Sequence, residues 1–309
     1  MIVTLTLNPA VDKSTEVDRL VPEKKMRCPN LTVEAGGGGI NVSKAIKELG
    51  GESVAIFPYG GLNGDLLLEL LAEKSIPTRG IRVNQMTRES FTINEVSTNR
   101  QYRFVMPGPT LADQDLLNLK EALLSIPNPT FLVMSGSFPE GLPTTFIMQR
   151  VAQFAKDQGM KLIVDTSGDT LKTALETGVH LVKPNLSELC SLVNKESLEL
   201  SEIDEAAREV IKSKGCEVVV VSMGPAGAMV ISKDISRKFT APVVKKLTTV
   251  GAGDSMVAGI TYMLDQKKSI EEAVQFGIAC GTAATMNKGT QLFKKADALR
   301  LYDWMKKNN

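Results

Sequence analysis

Four short runs of apolar, mostly β-branched residues recur along the middle of the chain. They are Phe131 to Met134, Leu162 to Val164, Val179 to Val182 and Val218 to Val221. A strand with one face in water alternates apolar and polar residues, whereas a strand that is apolar throughout is covered on both faces. Stretches with helical spacing fall between the runs, near 144–157, near 168–177, from about Leu186, and near 201–214. This alternation predicts an α/β fold with a parallel sheet sandwiched between helices. At 309 residues the chain is long enough for one large α/β domain or two. No Pro/Ser-rich linker, low-complexity segment or repeat divides it.

Two segments depart from the rhythm. Residues 12–35 are mixed polar and lack a helical period. Residues 88–106 hold Phe91 to Val96, the polar stretch Ser97-Thr98-Asn99-Arg100, then Gln101 to Val105, the pattern of an antiparallel hairpin. A small β layer projecting from an α/β body accounts for both. In the last third, helical patterns near 253–266, 270–286 and 296–307 follow one another with little strand between.

Composition narrows the function. With 36 Lys plus Arg against 35 Asp plus Glu, the net charge is +1, which argues against a dedicated nucleic-acid or membrane-surface binder. Cys28, Cys190, Cys216 and Cys280 form no CxxC pair, so buried thiols in a reducing compartment are expected rather than a zinc cage. His180 is the only histidine, which leaves no His-rich metal site. The first residues carry no basic n-region or cleavage site, and no apolar run nears the ~20 residues that span a bilayer, so a cytoplasmic protein is expected.

Several motifs carry chemistry. Ala35-Gly36-Gly37-Gly38-Gly39-Ile40-Asn41 leads into a helical pattern that ends at Leu49-Gly50. It allows backbone to approach a ligand closely, and Asn41 offers both a donor and an acceptor; a flexible turn is the alternative. Thr248-Thr249-Val250-Gly251-Ala252-Gly253-Asp254 opens a small-residue helix, whose free N–H groups suit an anion. Asp254 there is either a plain N-cap or a base that takes a proton from a nucleophile. Lys183-Pro184-Asn185 with Glu188 reads as a helix capping box or as a holder of hydrated Mg²⁺. Ser222 to Gly227 is a tight turn able to lie against a nucleotide. Ser135-Gly136-Ser137 ends a strand, where α/β sheets place ligand groups. Asp12 follows the first strand and could bind two sugar hydroxyls, or sit in a surface turn. Lys25, Arg27, Arg88 and Arg103 are surface charge unless the ligand carries a phosphate. There is no GxxxxGK[ST] and no GxGxxG, which removes a P-loop enzyme and weakens a dinucleotide-dependent dehydrogenase.

These pieces resemble, in order and nearly end to end, the ribokinase-like carbohydrate kinase (PfkB-type) family in its phosphofructokinase branch. They run from Asn8-Pro9-Ala10-Val11-Asp12 through the Gly36–Asn41 loop, Ser135 to Pro139, Lys183-Pro184-Asn185 and Ser222-Met223-Gly224 to Gly251-Ala252-Gly253-Asp254. The resemblance implies a single three-layer α/β/α domain over residues 1–309, with a mainly parallel sheet and a β lid from about 12–35 and 88–107. It also implies ATP and Mg²⁺ and a sugar-phosphate acceptor. Members acting on fructose 1-phosphate or tagatose 6-phosphate usually carry lysine where this chain has Gly38. The chain therefore resembles the 6-phosphofructokinase minor-isozyme type, which makes fructose 6-phosphate the expected acceptor.

Carried over position by position, Asp254 resembles the catalytic base and Gly251, Ala252 and Gly253 the anion hole. Asp12, Gly37, Gly38, Asn41, Arg88, Arg103 and Ser137 resemble sugar-phosphate contacts, with Lys25 and Arg27 from the lid. Lys183, Asn185, Ser222, Gly224 and Gly227 resemble nucleotide contacts, and Asn185 with Glu188 would organise Mg²⁺. Thr248, Val250, Ala284, Asn287, Gly289 and Gln291 match the region where the family often binds K⁺. A 1-phosphofructokinase, a tagatose-6-phosphate kinase and a sugar-phosphate sensor on a kinase scaffold are the competing expectations. A homodimer paired through the lid is expected, because pairing would cover exposed edge strands.

Overall fold

The computed structural model describes residues 1–287 and 291–308. In chain order its strands are β1 (Ile2–Leu5), β2 (Ala10–Val17), β3 (Leu31–Gly36), β4 (Ser53–Tyr59), β5 (Thr78–Arg82), β6 (Arg88–Glu95), β7 (Arg100–Val105), β8 (Phe131–Ser135), β9 (Lys161–Asp165), β10 (Val179–Val182), β11 (Cys216–Ser222), β12 (Ala228–Ser232) and β13 (Ser236–Phe239). The helices are α1 (Gly38–Leu49), α2 (Gly61–Glu73), α3 (Asp113–Leu124), α4 (Thr144–Asp157), α5 (Gly168–Leu175), α6 (Leu186–Leu192), α7 (Ile203–Lys214), α8 (Ala252–Asp265), α9 (Ile270–Ala284) and α10 (Lys295–Asn308).

Nine strands form one sheet in the order β13-β12-β11-β10-β9-β8-β1-β4-β5. From β11 to β5 every pairing is parallel. Strand parity then sorts the apolar runs into two cores. Val3, Leu5, Leu132, Met134, Val219 and Val221 face one side, against α3 to α7. Ile2, Phe131, Val133, Val218 and Val220 face the other, against α1, α8, α9 and α10. Both faces are covered, which is why the runs show no polar alternation. The sheet is mainly parallel, as expected, with an antiparallel edge. β12 and β13 run antiparallel, because the tight turn after Ser222 returns the chain at once and leaves no room for a crossover helix.

A second sheet has the order β3-β2-β6-β7. Residues 12–35 lack a helical period because they supply two of its strands; Asp12 thus lies within a strand rather than in a surface turn. β6 and β7 form the antiparallel hairpin, with Asn99 in the left-handed region of its turn at φ 52°. A third apolar cluster, with Val11, Ala35, Ile40 and Phe57, seats this sheet on α1, α2 and β4. Cys190, Cys216 and Cys280 are buried as expected, but Cys28 is exposed on the long β2–β3 loop. Among the described residues no helix is long and apolar enough to cross a membrane.

Candidate active site at the carboxyl ends of the strands

Parallel strands end together, so side chains at their carboxyl ends converge in one crevice. β8 ends on Ser135, β9 on Asp165, and Lys183 follows β10 directly. Two helices point their N-termini at the same place. α1 begins at Gly38 and carries Asn41 in its first turn; α8 begins at Ala252 and carries Asp254. Gly251 is the N-cap of α8 with φ 72°, a conformation few residues with a side chain adopt, and it swings Ala252 and Gly253 into the helix start. First-turn N–H groups have no intrahelical acceptor, so this end of α8 presents donors and a positive dipole.

Asp254 is held from two sides. Asn41 Nδ2 donates to Asp254 Oδ2 at 3.0 Å, and Ser135 Oγ donates to Oδ1 at 3.3 Å. Burial, reinforced by the negative charge of Asp165, pushes the Asp254 carboxyl up to about 6; the Asn41 hydrogen bond, the Lys183 charge and the Ser135 hydrogen bond restrain it. Asp165 itself pairs with Lys183 at 3.1 Å, and both side chains are largely buried. Burial pulls the Lys183 ammonium down, but the Asp165 charge and hydrogen bond outweigh it, so it lies above its ordinary value.

On one side of Asp254 lies a cluster beneath the small sheet. Burial pushes Asp12 up to about 6, against the pull of Lys44 and Arg88. Arg88 donates from Nε and Nη2 to the Asn8 carbonyl and from Nη1 to Ser90 Oγ. Asn8 Nδ2 donates to Ser137 Oγ at 3.2 Å. Gly37 packs against Thr6 and Pro9 after β1, and Gly38 lies against the β8 end: a Cβ at Gly38 would collide with Ser135 Oγ and stand 2.6 Å from the Gly136 nitrogen. Arg103 reaches from β7 to Thr249 Oγ1 at 3.3 Å, so the small sheet closes onto the loop before α8. Lys25 and Arg27 are exposed on the β2–β3 loop.

On the other side is a cavity of about 350 Å³. Ala252, Gly253, Ser222, Gly224, Gly227 and Thr282 are among the residues that line it. A larger groove of about 450 Å³ lies between α3 and α4, lined mostly by Leu and Phe, and holds none of the candidate residues. Asn185 and Glu188 form a complete capping box: Asn185 Oδ1 accepts from Glu188 N at 2.9 Å, and Glu188 Oε2 accepts from Asn185 N at 2.8 Å. Burial raises the Glu188 carboxyl above its ordinary value, with the Asn185 hydrogen bond and the Lys183 charge opposing. Among the described residues no three His, Cys, Asp or Glu gather to enclose a metal.

Around the end of α9, the Thr285 carbonyl accepts from Leu247 N and Thr248 N, and Thr248 Oγ1 accepts from Val250 N. Ala284 ends that helix, and its carbonyl accepts from Asn287 N. Asn287 Nδ2 donates to the Leu292 carbonyl at 2.7 Å, and Gln291 is exposed. Gly289 lies outside the described residues.

Sequence reasoning overlooked three residues that the crevice contains. Asp165 and Lys44 carry no motif, and Thr249 stands inside a motif without being singled out. For Asp165 a signal existed, since it directly follows Leu162-Ile163-Val164 at the end of a buried strand.

Comparison with known proteins agrees with this architecture. The family model described as pfkB family carbohydrate kinase matches residues 5–297. The ATP-dependent 6-phosphofructokinase isozyme 2 of Escherichia coli is 42% identical over 305 residues, covering 98% of each chain. The 1-phosphofructokinase of Borreliella burgdorferi is 33% identical, covering 93% of this chain and 92% of that one. The crystal structure of phosphofructokinase-2 from Escherichia coli in complex with fructose-6-phosphate superposes with a TM-score of 0.93 at 40% identity, covering 99% of both chains. The same protein has been solved in complex with potassium, with a TM-score of 0.94, 41% identity and 99% of both chains covered. This chain belongs to the pfkB family of carbohydrate kinases.

Proposed function

We propose that the protein transfers the γ-phosphoryl group of ATP to the 1-hydroxyl of fructose 6-phosphate, giving fructose 1,6-bisphosphate and ADP. One observation carries this reading. Asp254 stands at the mouth of α8, bonded to Asn41 beside a cluster of polar and basic side chains and directly after Ala252-Gly253, which line a cavity. An alcohol bound in the cluster and a triphosphate in the cavity meet at this carboxylate.

Asp254 accepts the proton of the 1-hydroxyl as that oxygen bonds the γ-phosphorus and the bond to the bridging oxygen of ADP breaks. A base titrating near 6 is ionised at neutral pH yet still basic enough to help. The N–H groups of residues 251–254 stabilise charge on the transferred group, where most of the rate enhancement of phosphoryl transfer arises. Asp12 and Asn41 hold sugar hydroxyls, with Gly37, Gly38 and Ser137 shaping the floor. Arg88 and Arg103 grip the 6-phosphate, joined by Lys25 and Arg27 when the loop closes. Lys183, Asn185, Ser222, Gly224 and Gly227 bind the nucleotide. The small sheet over the crevice excludes water and limits ATP hydrolysis.

A hydrated divalent ion needs few protein ligands. Glu188 fits: its Oε2 is engaged in the cap, and its other oxygen can accept from metal-bound water while Asn185 fixes its orientation. An Mg²⁺ held there through Asn185 and Glu188 would supply positive charge against the triphosphate. K⁺ suits the oxygen-rich turn around Thr248, Val250, Ala284 and Asn287, next to the anion hole; the resemblance adds Gln291 and Gly289, the latter outside the described residues. The family resemblance points to this region, and the potassium complex of the Escherichia coli relative supports the choice of ion.

The resemblance at Gly38, where members acting on the other two acceptors usually carry lysine, favours fructose 6-phosphate, and the 42% identity to the 6-phosphofructokinase isozyme 2 of Escherichia coli against 33% to a 1-phosphofructokinase supports the same choice. In an acceptor screen with Mg-ATP and coupled detection of ADP, kcat/KM for fructose 6-phosphate should exceed that for fructose 1-phosphate and tagatose 6-phosphate by at least about tenfold. A preference for either of those would reassign the acceptor, and tight sugar-phosphate binding with no ADP release would make the protein a sensor.

The lid also supports self-association. β3 and β7 are its open edges, and Leu31, Phe104 and Val105 on them are exposed. Two lids paired about a twofold axis would cover these edges. Light scattering at micromolar concentration should give twice the 33.4 kDa chain mass; a monomer would refute the pairing.

A further inference from the structure

Lys44 is a buried cation outside every motif named above. It lies three residues after Asn41 on α1, a spacing that puts both on one face of the helix. Its ammonium donates to the Ala35 carbonyl at 2.8 Å and to Asn41 Oδ1 at 3.3 Å. Asn41 in turn donates from Nδ2 to Asp254 Oδ2 at 3.0 Å. The three side chains form a chain: ammonium, amide, carboxylate.

We propose that Lys44 is a positioning residue for phosphoryl transfer, holding the Asn41 amide in the one orientation that presents its N–H, rather than its oxygen, to Asp254. The inference rests on the reading of Asp254 as the base. A primary amide can turn over, exchanging donor for acceptor with little change of shape. Facing an ionised carboxylate, the amide oxygen would repel it and the amide nitrogen would bond it. A hydrogen bond to the ionised form keeps a carboxyl ionised, whereas an acceptor there favours its protonated form. Lys44 settles the choice from behind, because an ammonium has only donors and therefore takes the oxygen. The Ala35 carbonyl fixes the ammonium at the entrance of the glycine loop.

Other charges bear on both ends of the chain. Lys44 is drawn below its ordinary value by burial, with Glu34 opposing, Lys74 adding to the fall, and Asp12 and Asp254 opposing. Asp254 faces Asp165 from β9 and Lys183 after β10, besides Asn41 and Ser135. Asp12 is faced by Arg88 from β6 and Arg103 from β7. None of those groups contacts the Asn41 amide oxygen as Lys44 does, so the effect of Lys44 on Asp254 should pass through Asn41.

The test is the pH dependence of kcat with Mg-ATP and fructose 6-phosphate for the wild type, Lys44→Met, Asn41→Ala and the double variant. The wild type should lose activity as pH falls through the Asp254 value of about 6, since the base works only when ionised. Lys44→Met should move that limb up by about one pH unit, cutting kcat at pH 6 about fivefold while the plateau above pH 8 returns to within about threefold. The double variant should shift no further than Asn41→Ala alone, because the two act in series. Lys44→Arg, which keeps the charge and donors, should restore the wild-type limb. An unmoved limb in folded Lys44→Met, or shifts that add in the double variant, would overturn the proposal; so would a change confined to the KM for fructose 6-phosphate, which would mean that Lys44 serves only the charge balance around Asp12. If Lys44→Met does not fold, Lys44→Leu, which likewise has no donor, replaces it with the same expected shift, and an unmoved limb is equally fatal. Failure of the underlying reading looks different: Asp254→Asn would then stay active, whatever the Lys44 variants do.

Discussion

Asp254→Asn should lower kcat by about 10²–10⁴-fold, the usual contribution of a positioned general base, while ATP binding changes little. The asparagine keeps the size of the side chain. It loses the acceptor for the alcohol proton, and its amide can no longer receive both Asn41 Nδ2 and Ser135 Oγ as a carboxylate does. Turnover by coupled ADP release and nucleotide affinity by calorimetry measure the two effects separately. A variant keeping more than about a tenth of wild-type kcat, a barrier change of only ~1.4 kcal/mol, would remove Asp254 from the chemistry.

Lys183→Met should cost more in stability than any other change in the crevice. It leaves Asp165 largely buried with its partner gone and with Asp254 nearby. Breaking a buried pair from one side costs about 3–5 kcal/mol; the low end of that range applies because Asp165 keeps some contact with water. Urea unfolding monitored by fluorescence of the single tryptophan, Trp304, gives the number directly. The companion variant Lys183→Met/Asp165→Leu should regain most of that stability, because removing both charges removes the unpaired one. It should not regain activity, since the cation we propose for the nucleotide is still absent. Recovery of turnover in the double variant would make Lys183 a structural residue only, and an undiminished stability in the single variant would deny that the pair is buried in solution.

The motif residues were legible because each carries a local geometric requirement. Gly251 must adopt positive φ, Gly38 must let backbone pass beside β8, and Asn185 with Glu188 closes a cap within four residues. The same locality hid part of their meaning. The Asn185–Glu188 spacing satisfies a capping box by itself, so only the direction of the remaining carboxylate oxygen bears on a metal. Lys44 was illegible for the opposite reason, and Asp165 showed only as the residue that ends a buried strand. A lysine in a helix and an aspartate after a strand are ordinary in sequence; Asp165 gains significance from Lys183 and Asp254 on later elements, and Lys44 from the link that Asn41 makes to Asp254.

From its own residues, the chain determines a parallel sheet covered on both sides, a polar hairpin set apart from it, and a small-residue helix start that welcomes an anion. Each follows from periodicity or backbone freedom over fewer than about twenty residues. The tertiary structure alone decides that Asp254 is gripped by Asn41 and Ser135, that Lys183 answers Asp165, that Arg103 meets Thr249, and that β12 and β13 turn back at the edge. The physical reason is range. Hydrogen bonds and ion pairs act over a few ångströms, and only the winding of the parallel strands brings groups so distant in the chain that close.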